Sequence, residues 1–136
     1  MGFPPQGKDN IKIVDSSIAV PVDLQRRYKF PVTLHTGTRT SNGDTGDIEI
    51  EASAIDFVIK VTSASGTDPV LNVYIEGKFE PTGDYKVIAS KENITTTGTY
   101  YPAEQMPVYP LTFRYLRVRW TVSGSFTFTV AGQAMI

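Results

Sequence analysis

Residues 111–130, LTFRYLRVRWTVSGSFTFTV, alternate in character almost residue by residue. Leu116, Val118, Trp120 and Val122 fall on one side, Tyr115, Arg117, Arg119 and Thr121 on the other. Past Ser123-Gly124-Ser125, the residues Phe126, Phe128 and Val130 share a side opposite Thr127 and Thr129. Successive side chains of a strand point to opposite faces, so this period of two in aromatic and β-branched residues specifies strands. The pattern predicts a β-hairpin that turns at residues 123–125 and carries the single Trp.

The same period recurs upstream. Residues 11–14 and 18–22 are short strand candidates, and 24–36 place Tyr28, Phe30, Val32 and Leu34 in alternation. Pro31 cannot donate to a ladder, so that strand belongs at an edge or is bulged there. Residues 37–47 end in a run of Asn, Asp and Gly and read as a surface loop. Residues 47–54 alternate Ile48 and Ile50 against Glu49 and Glu51. Residues 56–62 and 70–78, joined by Gly66-Thr67-Asp68-Pro69, read as a second hairpin with Phe57, Ile59, Leu71 and Val73 inward. Further strands are expected at 85–90 and 94–101, and no segment sustains a helical period.

Roughly eight to ten short strands between turn signals imply an all-β domain with no substantial helix. An antiparallel two-sheet β-sandwich or jelly roll is expected, because alternation gives each sheet one buried and one wet face. A small closed barrel is the alternative. Expected core residues are Phe57, Ile59, Leu71, Val73, Leu116, Val118, Trp120, Phe126 and Phe128. Residues 11–136 would form this single domain, and the Pro- and Gly-rich residues 1–10 an extended arm. In that arm Phe3, flanked by Pro4 and Pro5, is the candidate anchor onto a neighbouring subunit.

Thirteen basic against fourteen acidic residues leave a net charge of −1. Nucleic acid and acidic membrane surfaces attract a clear basic excess, so neither is expected as a partner. The absence of cysteine removes disulfides and thiolate chemistry and favours assembly in a reducing cytoplasm. The first ten residues contain no apolar run of the signal-peptide kind, and no apolar run is long enough for a spanning helix. A chain made in the cytosol is expected.

His35 is the only histidine, and a solvated or edge-strand position is expected for it rather than catalysis. Asn42, Asp44 and Asp47 do not keep the register of a calcium loop, so a turn is expected and no metal. Glu49 and Glu51 share one strand face, as do Arg117 and Arg119; paired across neighbouring strands they would form a charge ladder. Alternatively Arg117 and Arg119, with Arg39, Asn42 and Asp44 of the loop, face a partner protein, since Arg is enriched at interface hot spots. The tyrosines, Tyr100 and Tyr101 above all, offer a sugar-stacking platform as a further alternative. No phosphate loop, nucleophile elbow or zinc spacing occurs, so no catalytic residue and no cofactor is expected.

DFVIKVTSASGTDPVLNVYIEGKFEPTGDYKVIAS followed by FRYLRVRWTVSGSFTFTVAG resembles small β-sandwich virion proteins of tailed bacteriophages. The resemblance spans residues 47–132 and implies a non-enzymatic capsid decoration (cement) protein. Such a protein would bind the major capsid protein or other virion proteins on the head exterior, as a homo-oligomer, with a trimer favoured. A head–tail connector or tail protein of the same virion is one alternative. A carbohydrate-binding module is the other, since RYLRVRW also resembles sugar-binding jelly rolls.

Overall fold

A computed structural model describes residues 29–80, 82–102, 109–110 and 114–136. The expected arm with Phe3, Pro4 and Pro5, and the strands expected at 11–14 and 18–22, lie outside the described residues. Among the described residues eight strands run in order: β1 (Lys29–Arg39), β2 (Gly43–Asp44), β3 (Ile48–Glu49), β4 (Ala54–Lys78), β5 (Lys86–Ile94), β6 (Gly98–Tyr100), β7 (Tyr109–Pro110) and β8 (Tyr115–Met135). All join one antiparallel sheet, and no helix occurs among the described residues. The all-β antiparallel class is as the alternation predicts.

Strand length departs from expectation. β4 has 25 residues and β8 has 21, against a typical strand of about six. They pair along their whole lengths, from Ala54 opposite Met135 to Lys78 opposite Tyr115. Neither expected turn therefore pairs its two flanking runs as a hairpin. At 66–69 and 123–125 the strands bend together: the ladder passes from Ser65–Ser125 to Val70–Ser123 around an irregularity. The same Gly-rich, polar chemistry serves a reversal or a bend, and only the long-range pairing chooses between them.

β1, β2 and β3 follow one another along the free side of β8, at Arg39–Phe126, Gly43–Trp120 and Ile48–Leu116. β5, β6 and β7 do the same along β4, at Ile94–Leu71, Tyr100–Ile59 and Tyr109–Ile55. The breaks between strands at 40–42 and 95–97 and the ladder irregularity at 66–69 and 123–125 fall on one line across the sheet. The sheet is folded along that line like a closed book.

Two observations require closure. On a straight strand Trp120 and Phe128 would stand about 26 Å apart, yet their ring centroids are 5.9 Å apart. Arg114, just before β8, and Met135, its last residue, would be separated by about 70 Å on a straight strand. Instead Ile50 N–H donates to the Arg114 carbonyl at 3.0 Å and Ser53 N–H to the Met135 carbonyl at 2.7 Å. Residues 50–53 thus step from one leaf to the other, which is why the strand expected over 47–54 shortens to β3. The two layers expected of a sandwich are the two halves of one sheet.

The leaves enclose one core. Ile55, Phe57, Ile59 and Val61 of β4 face Leu71, Val73 and Ile75 of the same strand across it. β8 contributes Leu116, Val118 and Trp120 from one leaf and Phe126, Phe128 and Val130 from the other. Each of these side chains is at most 3% exposed. β1 is an outer strand of the described sheet, which accommodates Pro31. A register shift between Thr33 and His35 turns both Leu34 and His35 inward. The expectation of a solvated or edge-strand His35 holds for the edge strand and is corrected for solvation: the residue is 5% exposed, because the bulge turns it inward beside Leu34.

The bend depends on glycine. Gly124 has φ +89°, and a Cβ there would lie 2.5 Å from the Ser65 carbonyl oxygen. Gly124→Ala should cost roughly 2–3 kcal/mol, measured by urea unfolding. Gly37→Ala, with φ +140° but nothing within 4 Å of the added methyl, should cost about 1 kcal/mol. Trp120→Ala should cost ~3–5 kcal/mol in the same assay.

Candidate functional site

In the leaf built from residues 70–78 of β4 and 115–122 of β8, the apolar residues point inward, which turns the intervening residues out. β4 presents Asn72, Tyr74, Glu76 and Lys78, and β8 presents Tyr115, Arg117, Arg119 and Thr121. The register sets Glu76 opposite Arg117 and Tyr74 opposite Arg119. Glu76 divides its carboxylate between the two arginines: Oε1 accepts from Arg117 Nε at 2.7 Å and Oε2 from Arg119 Nε at 3.0 Å.

Aromatic rings close over these charges. The Arg119 guanidinium lies 4.3 Å from the Tyr74 ring centroid and that of Arg117 3.9 Å from Tyr85. Lys78 Nζ sits 4.5 Å from the same Tyr85 ring and 3.0 Å from Asp47. The Tyr85 hydroxyl donates to the Asp47 carboxylate, and the Tyr74 hydroxyl donates to Glu92 at 2.5 Å. Glu76 and Lys78 are consequently only 5% and 6% exposed although they lie on the outer side of the sheet. Charges removed from water to that degree persist only when paired.

The ionisation states suit this arrangement. Burial, then the hydrogen bond to Asp47, pushes the Tyr85 hydroxyl far above its usual range. The hydrogen bond from Tyr85, then that from Lys78, holds the Asp47 carboxyl below the ordinary carboxylate value. The hydrogen bond to Glu92 likewise raises Tyr74. Near neutral pH both tyrosines remain donors and Asp47 remains an anion. Such a face presents Tyr and Arg, the residues enriched at protein interfaces, in fixed positions, so little side-chain entropy is lost when a partner binds.

Of the residues expected at an interface, Arg117, Arg119 and Asp44 come together here, with Asp44 3.9 Å from Arg117. Arg39 and Asn42 sit beside the fold line. The Arg39 guanidinium lies 4.9 Å from the Trp120 ring, and Asn42 Oδ1 accepts from Val122 N–H at 2.8 Å. The ladder of Glu49 and Glu51 with Arg117 and Arg119 does not form. β3 meets β8 at Tyr115, so Glu49 reaches Arg114 instead, at 2.7 Å. Glu76 and Lys78 were not singled out from sequence, and Asp47 and Tyr85 were weighed only for a loop and for sugar stacking, not for this network. The alternation places Glu76 outward, but only cross-strand register reveals its two arginines, and Tyr85 and Asp47 arrive from separate turns.

The remaining candidates are dispersed. Asp44 Oδ1 accepts from Gly46 N–H, a local turn, while Asp47 is engaged by Lys78 and Tyr85. The Tyr100 hydroxyl donates to the Thr96 carbonyl at 2.7 Å. Tyr101 lines an open cleft of about 320 Å³ with Asp56, Lys60 and Gln133. The outer side of the other leaf is threonine-rich, with Thr36 bonded to Thr129 at 3.0 Å and Thr38 to Thr127 at 2.7 Å.

The folded sheet is similar to solved viral and prophage proteins. The SPBc2 prophage-derived protein YomS superimposes with TM-score 0.53 at 15% identity, covering 81% of this chain and 95% of that one. VP2 in the infectious bursal disease virus subviral particle superimposes with TM-score 0.50 at 12% identity, covering 82% of this chain and 33% of that one. At such identities the similarity is one of fold. No family model matches the sequence, and neither does any curated protein compared with it.

Glu76→Gln would leave two arginines sharing a neutral acceptor beneath the tyrosines. It should lower stability by about 2 kcal/mol, seen as a reduced urea midpoint at pH 7.

Proposed function

We propose that this chain is a non-enzymatic virion structural protein, a decoration (cement) protein that binds and stabilises the exterior of a phage head. The observation that carries the reading is the locked Arg–Tyr face around Glu76: it is preorganised for a protein surface, and its donors and acceptors are committed to one another rather than to a substrate. The fold similarity to a prophage-derived protein and to a viral capsid protein supports it, as does the resemblance of residues 47–132 to small phage sandwiches.

In this reading the Arg–Tyr face, with Arg39 and Asn42 at its margin, contacts the major capsid protein. The arm bearing Phe3, Pro4 and Pro5 clasps a neighbouring subunit, and the protein acts as a homo-oligomer, a trimer by preference. The mechanism is mass action. Contacts made only in the assembled shell raise the work of separating capsid subunits.

Purified chain should bind empty phage heads, and Tyr85→Ala, confirmed folded by circular dichroism, should weaken that binding roughly 30-fold (about 2 kcal/mol). Electron microscopy of virions should show the chain on the head surface. Density at the neck or tail instead would move it to the connector or tail. The Tyr101 cleft favours one second reading, a carbohydrate-binding module. For that reading, glycan-array binding lost in Tyr101→Ala and retained in Tyr85→Ala is the expected pattern.

A further inference from the structure

His35 is enclosed by two aromatic rings. Its ring centroid lies 4.7 Å from Trp120 and 4.5 Å from Phe128, and Trp120 meets Phe128 edge-on. Among the described residues no group hydrogen-bonds to its buried Nε2. A buried polar atom without a partner is uncommon in folded proteins, and an imidazolium placed there would need an acceptor that the box lacks.

What Trp120 holds on its other sides gives this position its consequence. The indole N–H donates to the Ser41 carbonyl at 3.0 Å. A Cβ on Gly43 would come within 3.3 Å of the indole, and the Arg39 guanidinium lies 4.9 Å from its centroid. Asn42 fastens the same segment to Val122. Residues 39–44, where the chain crosses the fold line from β1 to β2, are therefore seated on Trp120, and Trp120 is seated on His35.

We propose that His35 is an acid-operated latch: protonating its ring unseats Trp120 and frees residues 39–44 from the body of the sandwich. The charged surroundings favour release. On its own strand Arg39 adds a like charge. From β8, Arg117 and Arg119 are spent on Glu76, and from β2, Asp44 is turned toward Arg117. The inward residues of β4 are apolar. No carboxylate among these groups is directed at the imidazole. Desolvation, reinforced by Arg39, lowers the His35 pKa from 6.5 to about 4.

The sign follows from which state holds the proton. Between pH 6.5 and about 4 the unfolded or unlatched histidine is protonated and the latched one is not, so the latch weakens as pH falls through that window. Below it the loss is complete. Because Arg39 and Asn42 lie on the released segment, acidification would withdraw them from any partner. The device acts whatever that partner is.

The single histidine and single tryptophan make the test direct. Titration of the His35 imidazole by NMR should give a midpoint near 4, and a midpoint at 6.5 or above would overturn the proposal. Hydrogen exchange from pH 7 to 4 should show opening confined to residues 39–44, with Trp120 fluorescence changing in step. His35→Phe should abolish this response; if that variant fails to fold, the neutral His35→Gln should do so. Equal opening in wild type and variant, or cooperative loss of the whole sheet in wild type, would refute the latch.

Discussion

The fold line at Gly124 is the constraint on which the rest depends. There the Ser65 carbonyl occupies the space a side chain would fill, and Gly66 approaches so closely that its own Cβ would lie 3.1 Å from the Gly124 Cα. This contact lets β4 and β8 bend together without losing their register on either side. If the strands stayed straight, Trp120 and Phe128 would lie about 26 Å apart on a ribbon with one wet and one greasy face. Bent, they meet, and both halves of the greasy face vanish into a single core. Burying a large aliphatic or aromatic side chain contributes about 1.5–3 kcal/mol, so the core easily outweighs the strain at one glycine.

Closure also decides what the outside looks like. Because the apolar residues of both leaves are used inward, the outer sides have to be satisfied by other means. One leaf pairs threonine hydroxyls across strands. The other builds a second layer over its surface, in which Glu76 anchors two arginines and Tyr74 and Tyr85 shield them. An exposed salt bridge contributes little. This network differs because Glu76 and Lys78 are nearly dry, so breaking any one partner strands a charge. Rigidity on that face is a by-product of the pairing, and rigidity is what an assembly surface uses.

Strand character was legible almost throughout. The runs around Phe57, Leu71, Val118 and Phe126 alternate cleanly, and the side chains so read are buried. Three features were not legible, each for a physical reason. The segments 66–69 and 123–125 carry turn chemistry that is equally compatible with a bend. The bulge between Thr33 and His35 shifts parity by one and buries a histidine that its place before a polar loop had suggested would be solvated. The arginine partners depended on register, and β3 reaches β8 too near its start for Glu49 to meet Arg117.

Local chemistry by itself determined that this chain is all-β, that one side of each strand is apolar, and where the chain must leave a regular ladder. Those properties depend on near neighbours, two residues away for side-chain alternation and within a single segment for glycine and proline. The tertiary structure decided that the irregular points line up into one fold line, that Glu76 rather than Glu49 holds the two arginines, and that His35 lies beneath Trp120. Each of these joins residues tens of positions apart, and only closing the sheet on itself brings them within reach.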